Sequence, residues 1–113
     1  MRFMMMVKAN EDYEAGVPPN PELLGAIGKL TEDMTRTGVL LGTGGLLPSA
    51  KGARVRVSGG KLTVTDGPFA ETKEQIGGYF AVDCKDLDEA IEIASKIPSA
   101  RGGSIEVRPI WEM

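Results

Sequence analysis

The segment RFMMMVK, residues 2–8, constrains the fold more than any other stretch of the chain. A β-strand sends successive side chains to opposite faces. Here Phe3, Met5 and Val7 point one way, and Met4 and Met6 point the other. Both faces are apolar, so a strand over 2–8 belongs at the centre of a sheet that is covered on both sides. At 113 residues the chain is one domain by length, residues 1–113, with material for one small core. Two sheet faces must therefore be covered from a short supply of helices.

The rest of the chain provides those helices and further strands. Asn20 and Pro21 read as the N-cap and first turn of a helix over 21–37, with Leu23, Ile27, Leu30 and Met34 at helical spacing and Gly38 as its stop. Residues 11–19 read as a polar loop. VLLGTG, residues 39–44, is a second strand. Its GTGG run is no dinucleotide-binding loop, because Leu47 stands where the third glycine is needed and Pro48 follows it. ARVRVSGGKLTVT, residues 53–65, is a hairpin turning at Gly59-Gly60 with positive φ. That register sets Val57 opposite Leu62 and Val55 opposite Val64, and leaves Arg54, Arg56, Thr63 and Thr65 on the other face. YFAVDC, residues 79–84, is another strand. Asp86, with Glu89 three residues on, caps a helix over 87–97 whose buried face is Leu87, Ala90, Ile91 and Ala94, closed by Pro98. A last strand runs over 104–113, where Trp111 and the strand-one methionines suit core or dimer packing.

This order is the ferredoxin-like α+β pattern: βαββαβ with an inserted β-hairpin, forming an antiparallel sheet with two helices on one face. The strands over 2–8 and 79–84 take its central positions. Two helices cover one face only. The other face predicts a homodimer in which the sheets of two chains meet.

Composition removes several functions. With 13 basic and 16 acidic side chains, net charge −3, there is no basic excess for nucleic acid. The apolar run at residues 3–7 is shorter than the about 7–15 residues of a secretory signal or the about 20 of a membrane helix, so no membrane association is expected. Cys84 is the only cysteine, which fits a cytoplasmic setting. The sequence contains no histidine. That excludes Ser-His-Asp and Cys-His catalysis and any histidine-ligated metal. Acid–base work is left to carboxylates, lysines, tyrosines and Cys84, and no cofactor is called for.

The densest stretch is DGPFAETKEQIGGYF, residues 66–80. Asp66, ahead of Gly67 and Pro68, suits the first position of a turn. Set beside apolar groups such as Phe69 or Tyr79, it would instead be a carboxylate of raised pKa able to exchange a proton. Glu71, Lys73 and Glu74 suit a solvated turn or the mouth of an Asp66 pocket. Arg54 and Arg56 suit protection of a sheet edge or a clamp for an anion. Tyr79 suits the core or a hydrogen bond to a substrate oxygen. Cys84, flanked by Asp83 and Asp86, reads as a small buried hydrophobe.

The run from Asp66 to Ala94, with RFMMMVK at the start and IEVRPI near the end, resembles the YCII-related proteins and their DGPF-motif branch. The resemblance implies a dimeric α+β barrel of ferredoxin-like protomers, with Asp66 as the pocket aspartate. The histidine that accompanies it in some members has no counterpart here. The same resemblance implies an association with extracytoplasmic-function sigma factors. Two readings follow, and whether the chain is an enzyme stays open between them. In one, a small homodimer binds or transforms a small organic molecule without a cofactor. Asp66 is then the acid–base residue, and Arg54, Arg56, Phe69, Glu71, Lys73 and Tyr79 hold the ligand. In the other, the chain is a non-catalytic ligand-sensing or interaction module whose contact surfaces are the basic hairpin and the acidic helix bearing Asp88, Glu89 and Glu92.

Overall fold

A computed structural model describes residues 1–69, 75–100 and 103–112. The main sheet has four antiparallel strands: β1 (Arg2–Lys8), β2 (Leu40–Gly45), β5 (Ile76–Asp83) and β6 (Ile105–Pro109), in the order β2-β5-β1-β6. β3 (Ala53–Ser58) and β4 (Lys61–Asp66) pair only with each other, as a separate two-stranded hairpin. The helices are α1 (Glu11–Glu14), α2 (Pro21–Arg36) and α3 (Leu87–Ser95). This is the ferredoxin-like α+β arrangement, with β1 and β5 at the centre.

One face of the sheet carries the core. Phe3, Met5 and Val82 have no exposed surface there, and Phe80 has 4%. Met34 of α2, Ala90 and Ala94 of α3, and Ile97 close over them. The caps that position the helices are those the sequence predicts. The Asn20 side chain accepts from Leu23 N–H at 2.7 Å, and the Asp86 side chain accepts from Glu89 N–H at 2.9 Å. Gly38 leaves α2 with φ +79°, the left-handed conformation of a helix stop.

Several expectations need correction. Residues 11–19 are not all loop. Asn10 accepts from Tyr13 N–H at 2.8 Å and caps a single helical turn, α1. α3 ends at Ser95, not residue 97; its buried residues are Ala90 and Ala94, with Ile93 partly buried beside them and Ile97 buried just past its end. Leu87 and Ile91, expected inside, are 48% and 52% exposed, because the two alanines bring the neighbouring stripe of the helix against the sheet. β5 begins at Ile76, three residues before the expected start. Its Gly77-Gly78 pair belongs to the strand, with the Tyr13 ring against Gly77 and the Gly44 carbonyl against Gly78. β6 ends at Pro109, and Trp111 is 86% exposed, outside the core.

Among the described residues, neither α2 nor α3 covers the opposite sheet face. Cross-strand pairing places Met4 beside Ala81 and Met6 beside Tyr79, with Gly42 and Gly44 next to that pair in β2 and Arg108 and Glu106 in β6. Met4, Met6, Tyr79 and Ala81 all keep partial exposure, unlike Phe3, Met5, Phe80 and Val82 on the core face.

The hairpin has the expected register, Val57 with Leu62 and Val55 with Val64, across a Gly59-Gly60 turn in which both φ angles are positive. It extends one residue further than expected, to the pair Ala53–Asp66. Every residue of both strands is exposed. Val55, Val57, Leu62 and Val64 are between 56% and 68% exposed, which forfeits about 1–2 kcal/mol each relative to burial. The projecting hairpin explains a radius of gyration of 15.7 Å, where a compact chain of this length has about 13 Å.

Met5 is the best single probe of the core, being fully buried between β1's neighbours and the helices. Met5→Ala is expected to lower unfolding free energy by about 2–5 kcal/mol in urea denaturation, through lost burial and the cavity it leaves. A loss below 1 kcal/mol would show that this face is not the core.

Candidate functional site

Ser49 ties together the segments around the motif. A short 3-10 turn, Ser49–Lys51, follows Pro48 and leads into the hairpin. Ser49 N–H donates to Glu14 Oε1 at 2.9 Å, and Ser49 Oγ donates to Glu14 Oε2. The same Oγ accepts from Phe69 N–H at 3.1 Å. The Ser49 carbonyl accepts from Gly52 N–H at 2.9 Å, and the Gly52 carbonyl from Gly67 N–H at 3.2 Å. α1, the turn before the hairpin and the chain leaving it are thus bonded at one point.

Gly67 is required by this contact. A Cβ at Gly67 would lie 1.8 Å from the Ser49 carbonyl oxygen, closer than any side chain permits. The Gly67-Pro68 peptide bond is cis. Phe69 follows, with the Arg54 guanidinium over its ring at 4.3 Å from the centroid.

Beside this knot lies a cleft of about 410 Å³. Leu46, Leu47, Phe69 and Ile76 line its apolar part, while Lys51 and Glu14 supply charge. The hydrogen bonds to Ser49 hold the Glu14 carboxylate in place. A larger open groove of about 850 Å³ lies at the other side of α1, among Val7, Lys8, Tyr13, Val17, Leu23 and Pro98. It collects none of the site residues that the sequence suggests.

Those residues are only partly brought together. Phe69 and Arg54 stack, and Phe69 lines the cleft. Asp66 is exposed at the end of β4, opposite Ala53, and does not itself line the cleft, although Ala53, Gly52 and Phe69 around it do. Arg56 is exposed on the hairpin's polar face. Tyr79 lies on the uncovered sheet face with its ring over Gly44, where an added Cβ would come within 3.0 Å of Cε1. No hydrogen bond or ion pair links Asp66, Arg56 and Tyr79 among the described residues. Glu71, Lys73 and Glu74 lie outside the described residues. Cys84 is buried, and burial, then Glu89, push its thiol above the usual range, which suits an unreactive packing residue. No group of three metal-ligating side chains occurs among the described residues.

Glu14, Ser49 and Tyr13 are the residues that sequence reasoning missed. Asn10 followed by a helix-compatible EDYE run was the available signal for α1. No spacing rule joins Glu14 to Ser49. The Tyr13 hydroxyl is shut away from solvent without a hydrogen bond of good geometry. Burial, then the neighbouring Glu14 carboxylate, push the phenol above its usual range, opposed in part by the Leu46 backbone. The neutral phenol therefore contributes fully below the unfolded value of 10.0, and its contribution is lost as pH rises through the higher folded value.

Tyr13→Phe is accordingly expected to keep or raise stability at neutral pH, by up to about 1 kcal/mol, because an unsatisfied hydroxyl is removed and the ring is kept. It should also flatten the stability loss above pH 10, measured by urea denaturation at neutral and alkaline pH. A loss of more than about 1 kcal/mol at neutral pH would show that the hydroxyl makes a stabilising bond.

Among known proteins, an uncharacterized protein of Rhizobium meliloti (strain 1021) is 48% identical over 67 residues, covering 58% of this chain and 54% of the relative. The match thus spans about half the length of that curated relative. The family model of the YCII-related domain matches residues 1–113, and the chain belongs to the YCII-related proteins.

Proposed function

We propose that this chain, a YCII-related protein of the DGPF-motif type, is a homodimer that binds a small organic anion in the cleft beside Asp66, without a cofactor. The observation that carries this reading is the cleft itself. At about 410 Å³ it falls in the range of small-molecule sites, about 300–1,000 Å³, and it is built from a bonded frame rather than a loose loop. Its chemistry selects the ligand class. Leu46, Leu47, Ile76 and Phe69 offer an apolar bed, and Lys51 offers a cation at its edge. A flat apolar body with one carboxylate meets both.

Proton transfer is the second step of the proposal. Asp66 stands one hairpin pair away from the cleft wall, at Ala53. With no histidine in the chain, the carboxylates at the cleft are Glu14, whose two oxygens are both bonded to Ser49, and Asp66, which is left to exchange a proton with a bound molecule. The exposure of Asp66 favours the second reading, a non-catalytic interaction module, as in the association with extracytoplasmic-function sigma factors. In that case Asp66→Asn leaves partner binding unchanged, while the Arg54→Glu/Arg56→Glu pair weakens it.

Benzoate is a suitable probe, combining a flat ring with a carboxylate. Titrated into the labelled protein, it is expected to shift the amide resonances of Ser49 to Ala53 and Phe69. Phe69→Ala should weaken it by about tenfold or more, the worth of one aromatic contact. Shifts confined to other parts of the chain, or none at millimolar benzoate, would overturn the cleft as the ligand site.

A further inference from the structure

We propose that the groove of about 850 Å³ beside α1 is a second ligand site, built for a small apolar zwitterion of dipeptide size. Among the described residues it shares no lining with the cleft near Asp66, so this site stands or falls independently of that one.

The walls of the groove are tied on each side. Lys8 N–H donates to the Ser104 carbonyl at 3.2 Å, and Ala9 N–H donates to the Gln75 carbonyl at 2.9 Å, which fixes the end of β1. The chain leaving α1 folds back on it. Gly16 takes φ +81°, its N–H reaches the Tyr13 carbonyl at 3.1 Å, and Val17 N–H reaches the Asp12 carbonyl at 3.0 Å. Pro18 and Pro19 then carry the rim, each with its φ fixed by the ring, up to the α2 cap at Asn20. A site with bonded walls gives up little conformational freedom when it is filled.

The lining chemistry selects the ligand. Val7, Val17, Leu23 and Pro98 form an aliphatic bed. Lys8 and Asp12, a cation and an anion, belong to the same lining. They are not paired with each other. Lys8 meets Glu106, outside the lining, at 3.8 Å, which is longer than a hydrogen bond. Asp12 has no ion pair among the described residues. Asn10 and Asn20 also line the groove. Each spends its side-chain oxygen on a helix cap, at 2.8 and 2.7 Å, which leaves its amide NH2 as a donor. Neither NH2 has an acceptor among the described residues.

Ligand classes differ in how they meet these groups. A wholly apolar molecule strips water from both charges and returns nothing. A simple carboxylate satisfies Lys8 and is repelled by Asp12. A zwitterion answers both, its carboxylate accepting from Lys8 and its ammonium donating to Asp12. The two amide donors add a place for a peptide carbonyl. The volume lies toward the top of the about 300–1,000 Å³ range of small-molecule sites, which leaves room for two apolar side chains. An apolar dipeptide with both ends free meets all of these conditions.

The probe is leucyl-leucine, titrated to millimolar concentration into the labelled protein. It is expected to shift the amide resonances of Lys8, Asp12, Val17 and Leu23 and to leave those of Ser49 and Phe69 in place. Calorimetry should find N-acetyl-leucyl-leucine and leucyl-leucinamide each weaker by about tenfold, the worth of one hydrogen bond to a charged group. Asp12 is exposed, so Asp12→Asn should keep the fold, and in that variant the acetylated and free dipeptides should bind alike. In Lys8→Met the amidated and free dipeptides should bind alike. Blocked dipeptides that bind the wild type as tightly as the free one, a penalty for acetylation that survives Asp12→Asn, or a groove whose amides do not shift would each overturn the site.

Discussion

A central strand that is apolar on both faces sets the terms for the rest of this protein. β1 lies between β5 and β6, so neither edge of it is left to solvent. Phe3 and Met5 on one side are enclosed by α2 and α3. Met4 and Met6 on the other side stay partly exposed among the described residues. A chain this short has spent its helices on the first face. The second face, together with the apolar side of the hairpin, is surface that a folded monomer leaves in water at a cost in stability.

The DGPF motif acquires a physical meaning in the same frame. Its glycine is the one place where the chain can pass beneath the Ser49 carbonyl. Its phenylalanine donates its backbone N–H to Ser49 Oγ and carries Arg54 over its ring. Its aspartate is the last rung of the hairpin. The motif is thus a junction that fixes where the hairpin leaves the body and how the cleft beside it is shaped. Glu14 holds the other side of that junction, and Ser49 cannot keep both bonds without it.

Local signals told the fold well where local physics decides it. Asn20 and Asp86 cap helices because their side chains reach amides three residues on, and Gly59-Gly60 turns because only glycine takes positive φ at two successive positions readily. The sheet order followed from the apolar character of residues 2–8 and 79–84. Long-range decisions were less legible. The strand over 79–84 begins three residues earlier, at Ile76, where Tyr13 and Gly44 pack against Gly77 and Gly78. Leu87 and Ile91 share helical spacing with the true buried stripe, and only packing chooses Ala90 and Ala94. In the candidate site, Phe69 and Arg54 were legible from the motif and the hairpin. Glu14 and Ser49, 35 residues apart, meet only in the folded chain.

The account turns on whether the chain is a homodimer. Sedimentation equilibrium of the wild-type chain at micromolar concentration measures this most directly. A mass of two chains is the predicted result, and a single monodisperse monomer across that range would contradict it.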